Sequence, residues 1–308
     1  NPYDSCVVNK MINGKQCTIG WHVDDLRISH IDSKVVDHIV DLMSGEFGKE
    51  APLTINRDKV HEYLGMTFDF TEKGVVTLDM IEYIKTIISE MPADMKGKAA
   101  TPAANHLFNV REDPVAIDQE KSDIFHKMVM QLQYLSQRAR PDVRTAVSFL
   151  CKRVSVPDED DYKKLSRVMK YLQSTMYLKL KLEANDSGII RWWVDASYAV
   201  HPDMRGHTGG TMSMGKGSIY SIASGQKLVA RSSTESELIG VHDVMPQIMW
   251  TSYFLQAQGV KVKDSILYQD NTSSILLEKN GRQSSTKRTR HINIRYFFVK
   301  DRVASKEV

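Results

Sequence analysis

Cysteine is scarce in this 308-residue chain: Cys6, Cys17 and Cys151 are the full set, widely spaced and odd in number. No Cys-x-x-Cys pair frames a structural zinc, and so few thiols cannot build a disulfide scaffold. That usage favours a reducing compartment, cytoplasmic or nuclear. No run approaches the roughly 20 uninterrupted apolar residues of a membrane span, so no membrane partner is expected. The opening lacks a secretory pattern. It also lacks an initiating Met at Asn1-Pro2-Tyr3, the look of part of a longer protein. Excess charge of one sign is missing too, since a net +3 is too small to imply nucleic-acid binding by itself. Internal repeats and low-complexity tracts are absent.

What is present is a globular composition, 42% hydrophobic and 26% charged, over a length that suits two or three domains. Residues 1–78 read as short strands and turns. Asn13-Gly14 is a strong hairpin signal, and Asp24-Asp25 fall at the next bend, between the strand-like stretches 17–23 and 26–29. Val35, Val36, Ile39, Val40 and Met43 recur at helical spacing from Ser33 to about Phe47. Period-two alternation predicts a strand over 63–70, joined by a Lys73-Gly74 turn to another over 75–78.

Residues 79–185 read as helical. Ile84 and Ile87 belong to one stripe, and Ile124, Met128, Leu132 and Leu135 form a second. A third follows Pro141, a residue favoured in a first helical turn. A fourth, with Leu165 and Met169, stands behind the acidic run Asp158-Glu159-Asp160-Asp161, whose charge suits a helix N-terminus. These stripes are read as core. After the turn at Asn185, residues 186–308 alternate differently. Strands are expected at 189–195, 208–214 and 218–223, with a Gly215-Lys216-Gly217 turn between the last two. A helix from about 232, a strand at 265–269, a helix from about 272 and a last helix from His291 follow. Hairpin strands followed by such crossings describe a mixed sheet with flanking helices, so the fold class is α/β together with α+β.

Three carboxylates stand where such a sheet presents chemistry. Asp195 ends one apolar run, Asp270 closes another, and Glu237 lies in the first turn of the helix from about 232. Acids converging from two strand ends and a helix start repel one another unless cations sit among them. Hard oxygen ligands suit Mg²⁺, and paired Mg²⁺ ions are a standard device for cutting phosphodiesters. A basic run, Lys287-Arg288-Thr289-Arg290-His291, lies a little beyond Asp270.

The whole chain resembles the C-terminal half of a copia-type retrotransposon polyprotein, the end of its reverse transcriptase followed by its ribonuclease H domain. The resemblance is carried by Asn1-Pro2-Tyr3-Asp4, Val23-Asp24-Asp25-Leu26, Tyr63-Leu64-Gly65-Met66, Tyr134-Leu135-Ser136 and Arg140-Pro141-Asp142. It continues in Arg231-Ser232-Ser233-Thr234-Glu235-Ser236-Glu237, Asp270-Asn271 and Arg288-Thr289-Arg290-His291-Ile292. It implies palm strands over 1–78, a helical thumb or connection over 79–185, and a ribonuclease H-like domain over 186–308. Asp24 and Asp25 would then hold polymerase metal. The further Asp and the fingers that polymerisation needs would precede Asn1, so polymerisation is not expected of this chain alone. His22 also stands where the family has Tyr.

For the last domain the resemblance implies Mg²⁺, two ions, with Mn²⁺ as an alternative, held by Asp195, an acid of the first helix, and Asp270. Glu235 and Glu237 are two apart and cannot point the same way from a helix. The Glu237-Leu238 step resembles that of ribonuclease H proteins, which favours Glu237 and keeps Glu235 as the alternative. The fourth ligand falls on Asn293, where the family has Asp, so this ligand brings no charge. His291 would assist proton transfer or product release, and Lys287, Arg288, Arg290 and Asn271 would hold nucleic acid. Ser197 and Thr272 are further candidates for 2′-hydroxyl contacts. The implied function is metal-dependent cleavage of RNA in RNA–DNA hybrids, with the rest of the polyprotein as partner. The alternative is a non-catalytic nucleic-acid-binding relic.

Overall fold

The computed structural model describes residues 1–49, 51–185, 187–280 and 293–308, with backbone alone over 293–297. Its first sheet is a meander, β1 (Val7–Ile12), β2 (Lys15–His22) and β3 (Asp25–Ser29), antiparallel throughout. Asn13 and Gly14 join β1 to β2 with φ of 52° and 70°. Both residues are left-handed, as a two-residue hairpin with matching twist requires. The second bend is made by Val23 and Asp24, because His22 pairs with Asp25. Val23 also takes a positive φ, 55°, and is 88% exposed, an unfavourable conformation for a β-branched residue. Helix α1 (Ser33–Phe47) follows where its periodicity predicts, capped by the Asp32 carboxylate, which accepts from the Lys34 N–H at 3.0 Å.

The strand expected over 63–70 is instead a hairpin. β4 (Val60–Tyr63) and β5 (Met66–Asp69) pair through Tyr63 and Met66, with Leu64 and Gly65 at φ 52° and 72° between them. The competing force is tertiary. The Tyr134 hydroxyl donates to the Leu64 carbonyl at 3.1 Å, and a Cβ on Gly65 would stand 2.7 Å from that oxygen. Strand β6 (Val75–Asp79) continues this sheet.

The middle segment supplies α2 (Ile81–Glu90), α3 (Gln119–Ser136), α4 (Arg144–Cys151) and α5 (Glu159–Ser174), with a 3₁₀ turn at Pro141–Val143 leading into α4. Their predicted stripes meet in one core that includes Ile84, Ile87, Met128, Leu132, Leu135, Val147, Leu165 and Met169. Arg140, with 1% of its surface exposed, grips Asp142 through two bonds of 2.9 and 2.7 Å and reaches the Thr175 carbonyl at 3.0 Å. The Arg140-Pro141-Asp142 block therefore ties the start of α4 to the end of α5. The segment does not stay helical to its end: β7 (Leu180–Ala184) pairs with β6. β10 (Gly215–Lys216), expected only as a turn, pairs in turn with β7. This second sheet thus runs β10-β7-β6-β5-β4 and draws strands from all three stretches of the chain.

The third sheet is β8 (Ile189–Ser197), β9 (His207–Ser213), β11 (Tyr220–Gly225) and β12 (Asp264–Tyr268), in the order β11-β9-β8-β12. β12 runs parallel to β8, the others antiparallel. A parallel neighbour needs a crossover, and α6 (Ser233–Ala257) supplies it. Alternation along β8 buries Ile190, Trp192 and Val194 against Val241, Val244, Met245 and Ile248 of α6, and leaves Trp193, Asp195 and Ser197 on the open face. α7 (Thr272–Asn280) and α8 (Asn293–Ala304) complete the domain. This is the predicted mixed sheet with flanking helices. Among the described residues no helix is long and apolar enough to cross a membrane.

Candidate metal centre

Asp195, Glu237 and Asp270 converge: one carboxylate oxygen from each lies within 4.8 Å of the others. Each arrives by a separate local rule. Asp195 is on the open face of β8 because the buried residues on either side of it, Val194 and Ala196, face the helix. Asp270 follows β12, whose Tyr268 stands beside Trp193 in the parallel register. Glu237 comes from the first turns of α6, where Ser232 caps the helix by accepting from the Glu235 N–H at 3.2 Å. Gly240, one turn further on, lets helix and sheet approach closely, since a Cβ there would meet the Ala196 Cβ at 3.3 Å.

Geometry sets the two helix acids apart. Glu235 turns back to the helix start and accepts from the Arg231 N–H at 2.9 Å, while Glu237 faces the two aspartates. Glu237 is buried, and its pKa is pushed up to about 7, first by loss of water and then by the charge of Asp195. The Ala196 N–H and the Gln269 amide counter part of that rise, and Asp270 adds to it. Glu237 Oε2 and Gln269 Nε2 nevertheless each lack a well-formed hydrogen bond. A buried carboxylate oxygen without a donor, beside two exposed aspartates, is a donor set that fits a hard divalent cation.

A fourth acid stands behind the three. Glu278 of α7 is 6% exposed, accepts from the Ser274 hydroxyl at 3.1 Å, and is also pushed up to about 7 by burial, with the charge of Glu237 contributing. No periodicity singles it out in the sequence, because the faces of α7 are mixed. In front of the carboxylates lies a cavity of about 720 Å³ bordered by Arg144, Trp193, Asp195, Gly209, Tyr268 and Asp270. Trp193 was within reach of sequence reasoning, since it shares a β8 face with Asp195. Arg144 was not, because it comes from a different segment.

The remaining expected residues are distributed otherwise. Asp24 and Asp25 are exposed at the β2–β3 bend and join no group of three metal-ligating side chains among the described residues. Asn271 caps α7, its side-chain oxygen accepting from the Ser274 N–H at 2.9 Å. Lys287, Arg288, Arg290 and His291 lie outside the described residues, as does the side chain of Asn293, whose backbone begins α8.

No family model matches the chain. It is 27% identical over 231 residues to the retrovirus-related Pol polyprotein from transposon TNT 1-94 of Nicotiana tabacum, covering 73% of this chain and 17% of that protein. It is 26% identical over 292 residues to the Pol polyprotein from transposon RE2 of Arabidopsis thaliana, covering 92% of this chain and 19% of that protein. The chain thus spans less than a fifth of the length of these relatives. Among solved structures, that of the foamy viral protease-reverse transcriptase dRH in complex with ds DNA aligns at a TM-score of 0.49 and 11% identity, covering 93% of this chain and 44% of that one. The chain is thus similar, over most or nearly all of its length, to Pol polyproteins of several copia-type retrotransposons.

Proposed function

We propose that this part of a copia-type Pol polyprotein cleaves the RNA strand of RNA–DNA hybrids by metal-dependent hydrolysis. The observation that carries the reading is the gathering of Asp195, Glu237 and Asp270 oxygens within 4.8 Å at the open end of a mixed sheet. When bound, a pair of Mg²⁺ ions, or Mn²⁺ of the same hard type, supplies an activated water and neutralises charge on the leaving 3′ oxygen. Asp195 and Asp270 would hold metal at the mouth of the cavity, and Glu237 from its buried side. Because Glu237 carries its proton up to about pH 7, metal must displace that proton, so affinity rises with pH through this range.

By sequence alone, Asn293 completes the ligand set without charge, and Lys287, Arg288, Arg290 and Asn271 contact the duplex. His291 lends a proton in the same reading, and the remainder of the polyprotein is the working partner. Hydrolysis is the extent of the proposal, since Asp24 and Asp25 gather no third ligand among the described residues. The test is incubation of the intact chain with end-labelled hybrid and Mg²⁺. Fragments of the RNA strand are expected from the parent and none from Asp195→Asn. Hybrid binding without any metal-dependent product would instead favour a non-catalytic nucleic-acid-binding relic.

A further inference from the structure

We propose that the cavity beside the carboxylates seats the sugar–phosphate backbone of a nucleic-acid strand, with Arg144 taking a phosphate and the Trp193–Tyr268 pair packing on the neighbouring sugar. The seat rests on the hydrolase reading only for the identity of that strand.

Arg144 begins α4, a helix of the middle segment, yet it borders the cavity of the third sheet. Its Nε is buried and has no hydrogen-bond partner. Burial lowers its pKa, and the nearby Tyr220 offsets only part of that loss of water. A half-buried cation left in this state is costly unless an anion completes it. The planar guanidinium fork suits a phosphate better than any other common anion except a carboxylate.

Beside it, the Trp193 and Tyr268 rings stack at 5.3 Å with 14° between their planes, and 40% and 41% of their surfaces remain exposed. Two large aromatic side chains left open together on one sheet face mark a contact surface. They stand on the Asp195 side of β8, so anything covering them lies next to the carboxylates. Gly209, paired with Asp195 across β8 and β9, leaves that approach clear: a Cβ there would meet only the Asp195 carbonyl oxygen, at 3.9 Å. The volume of about 720 Å³ falls inside the range of roughly 300–1,000 Å³ usual for ligand sites. A cation, an apolar platform and an acidic metal cradle in one cavity match the alternation of phosphate and sugar along a strand.

The test uses the intact chain carrying Asp195→Asn to hold cleavage off, titrated with fluorescein-labelled RNA–DNA hybrid at several salt concentrations. Adding Arg144→Gln should weaken binding about tenfold and flatten the log–log salt slope by about one. Arg144→Lys should restore most of the slope. Trp193→Ala should weaken binding about fivefold with the slope unchanged. Parental affinity and slope in Arg144→Gln would overturn the seat. Failure of the hydrolase reading looks different: no cleavage by the chain with native Asp195, but hybrid binding that still depends on Arg144. A loss of affinity in Arg144→Gln that Arg144→Lys does not recover would assign Arg144 to structure, and would also overturn the phosphate contact.

Discussion

Asp24 and Asp25 are neighbours in the chain, held at an exposed hairpin bend by two antiparallel strands. Asp195 and Asp270 are far apart in sequence, one on β8 and the other just past the end of β12, with a 25-residue helix between those strands, yet they share one small volume with Glu237. The hairpin displays its acids, and water takes up their charge. The third sheet instead forces its acids together, buries one of them, and leaves an oxygen of that one without a donor. Adjacent acids in sequence say little about a metal site. What matters is whether separate elements converge and whether the convergence costs something that a cation would repay.

The largest expected difference is in activity. Asp270→Asn should lower metal-dependent hybrid cleavage by about a thousandfold or more, because the ligand and its charge vanish together. The Asp24→Asn, Asp25→Asn double variant should stay within about twofold of the parent. Calorimetry with Mg²⁺ alone should show the same split, with binding heat lost in the first and kept in the second. Equal losses in the two variants would remove the distinction between the regions.

A smaller effect should follow from helix–sheet spacing. Gly240→Val places branched carbon where even a Cβ would touch Ala196 at 3.3 Å and Thr208 at 3.5 Å. Overpacking of this kind costs about 1–3 kcal/mol. It should push Glu237 away from Asp195, so a lower melting temperature together with about tenfold weaker Mg²⁺ binding is expected. Weaker folding with unchanged Mg²⁺ affinity would show that the close approach serves packing alone.

Much of this contrast is legible in the residues. The alternation Ile190, Trp192, Val194 fixes which face Asp195 takes, and the Ser-Thr-Glu run marks the start of α6. A two-residue separation is enough to set Glu235 against Glu237. Asn13-Gly14 announces its turn, whereas Leu64-Gly65 does not, because the hydroxyl that stabilises that turn belongs to Tyr134, on a distant helix. The same limit hides β10, which reads as a turn until β7 comes alongside it. Arg144 and Glu278 are invisible for this reason as well: their roles arise from the meeting of segments that no local period connects.

The smallest effect concerns protons, and its sign can be worked out in advance. Glu237 and Glu278 stand at about 7 in the folded chain against an ordinary value of 4.5. Between those values the folded state binds more protons than the unfolded state, so metal-free stability falls as pH rises through the window. His207, held down to about 4 from 6.5 by burial and by the nearby His201 and Lys152, acts oppositely. Its contribution is full above 6.5 and is lost as pH falls through 4. The two trends oppose each other below about 6.5, which leaves the acids clearest just above it. Melting curves in EDTA from pH 6.5 to 7.5 should therefore fall with pH in the parent, and about half as steeply in Glu278→Gln. Saturating Mg²⁺ should remove the share of Glu237 by holding it ionised and leave that of Glu278 in place. An unchanged slope in Glu278→Gln would put that carboxyl in contact with water, outside the buried set that separates this site from the hairpin.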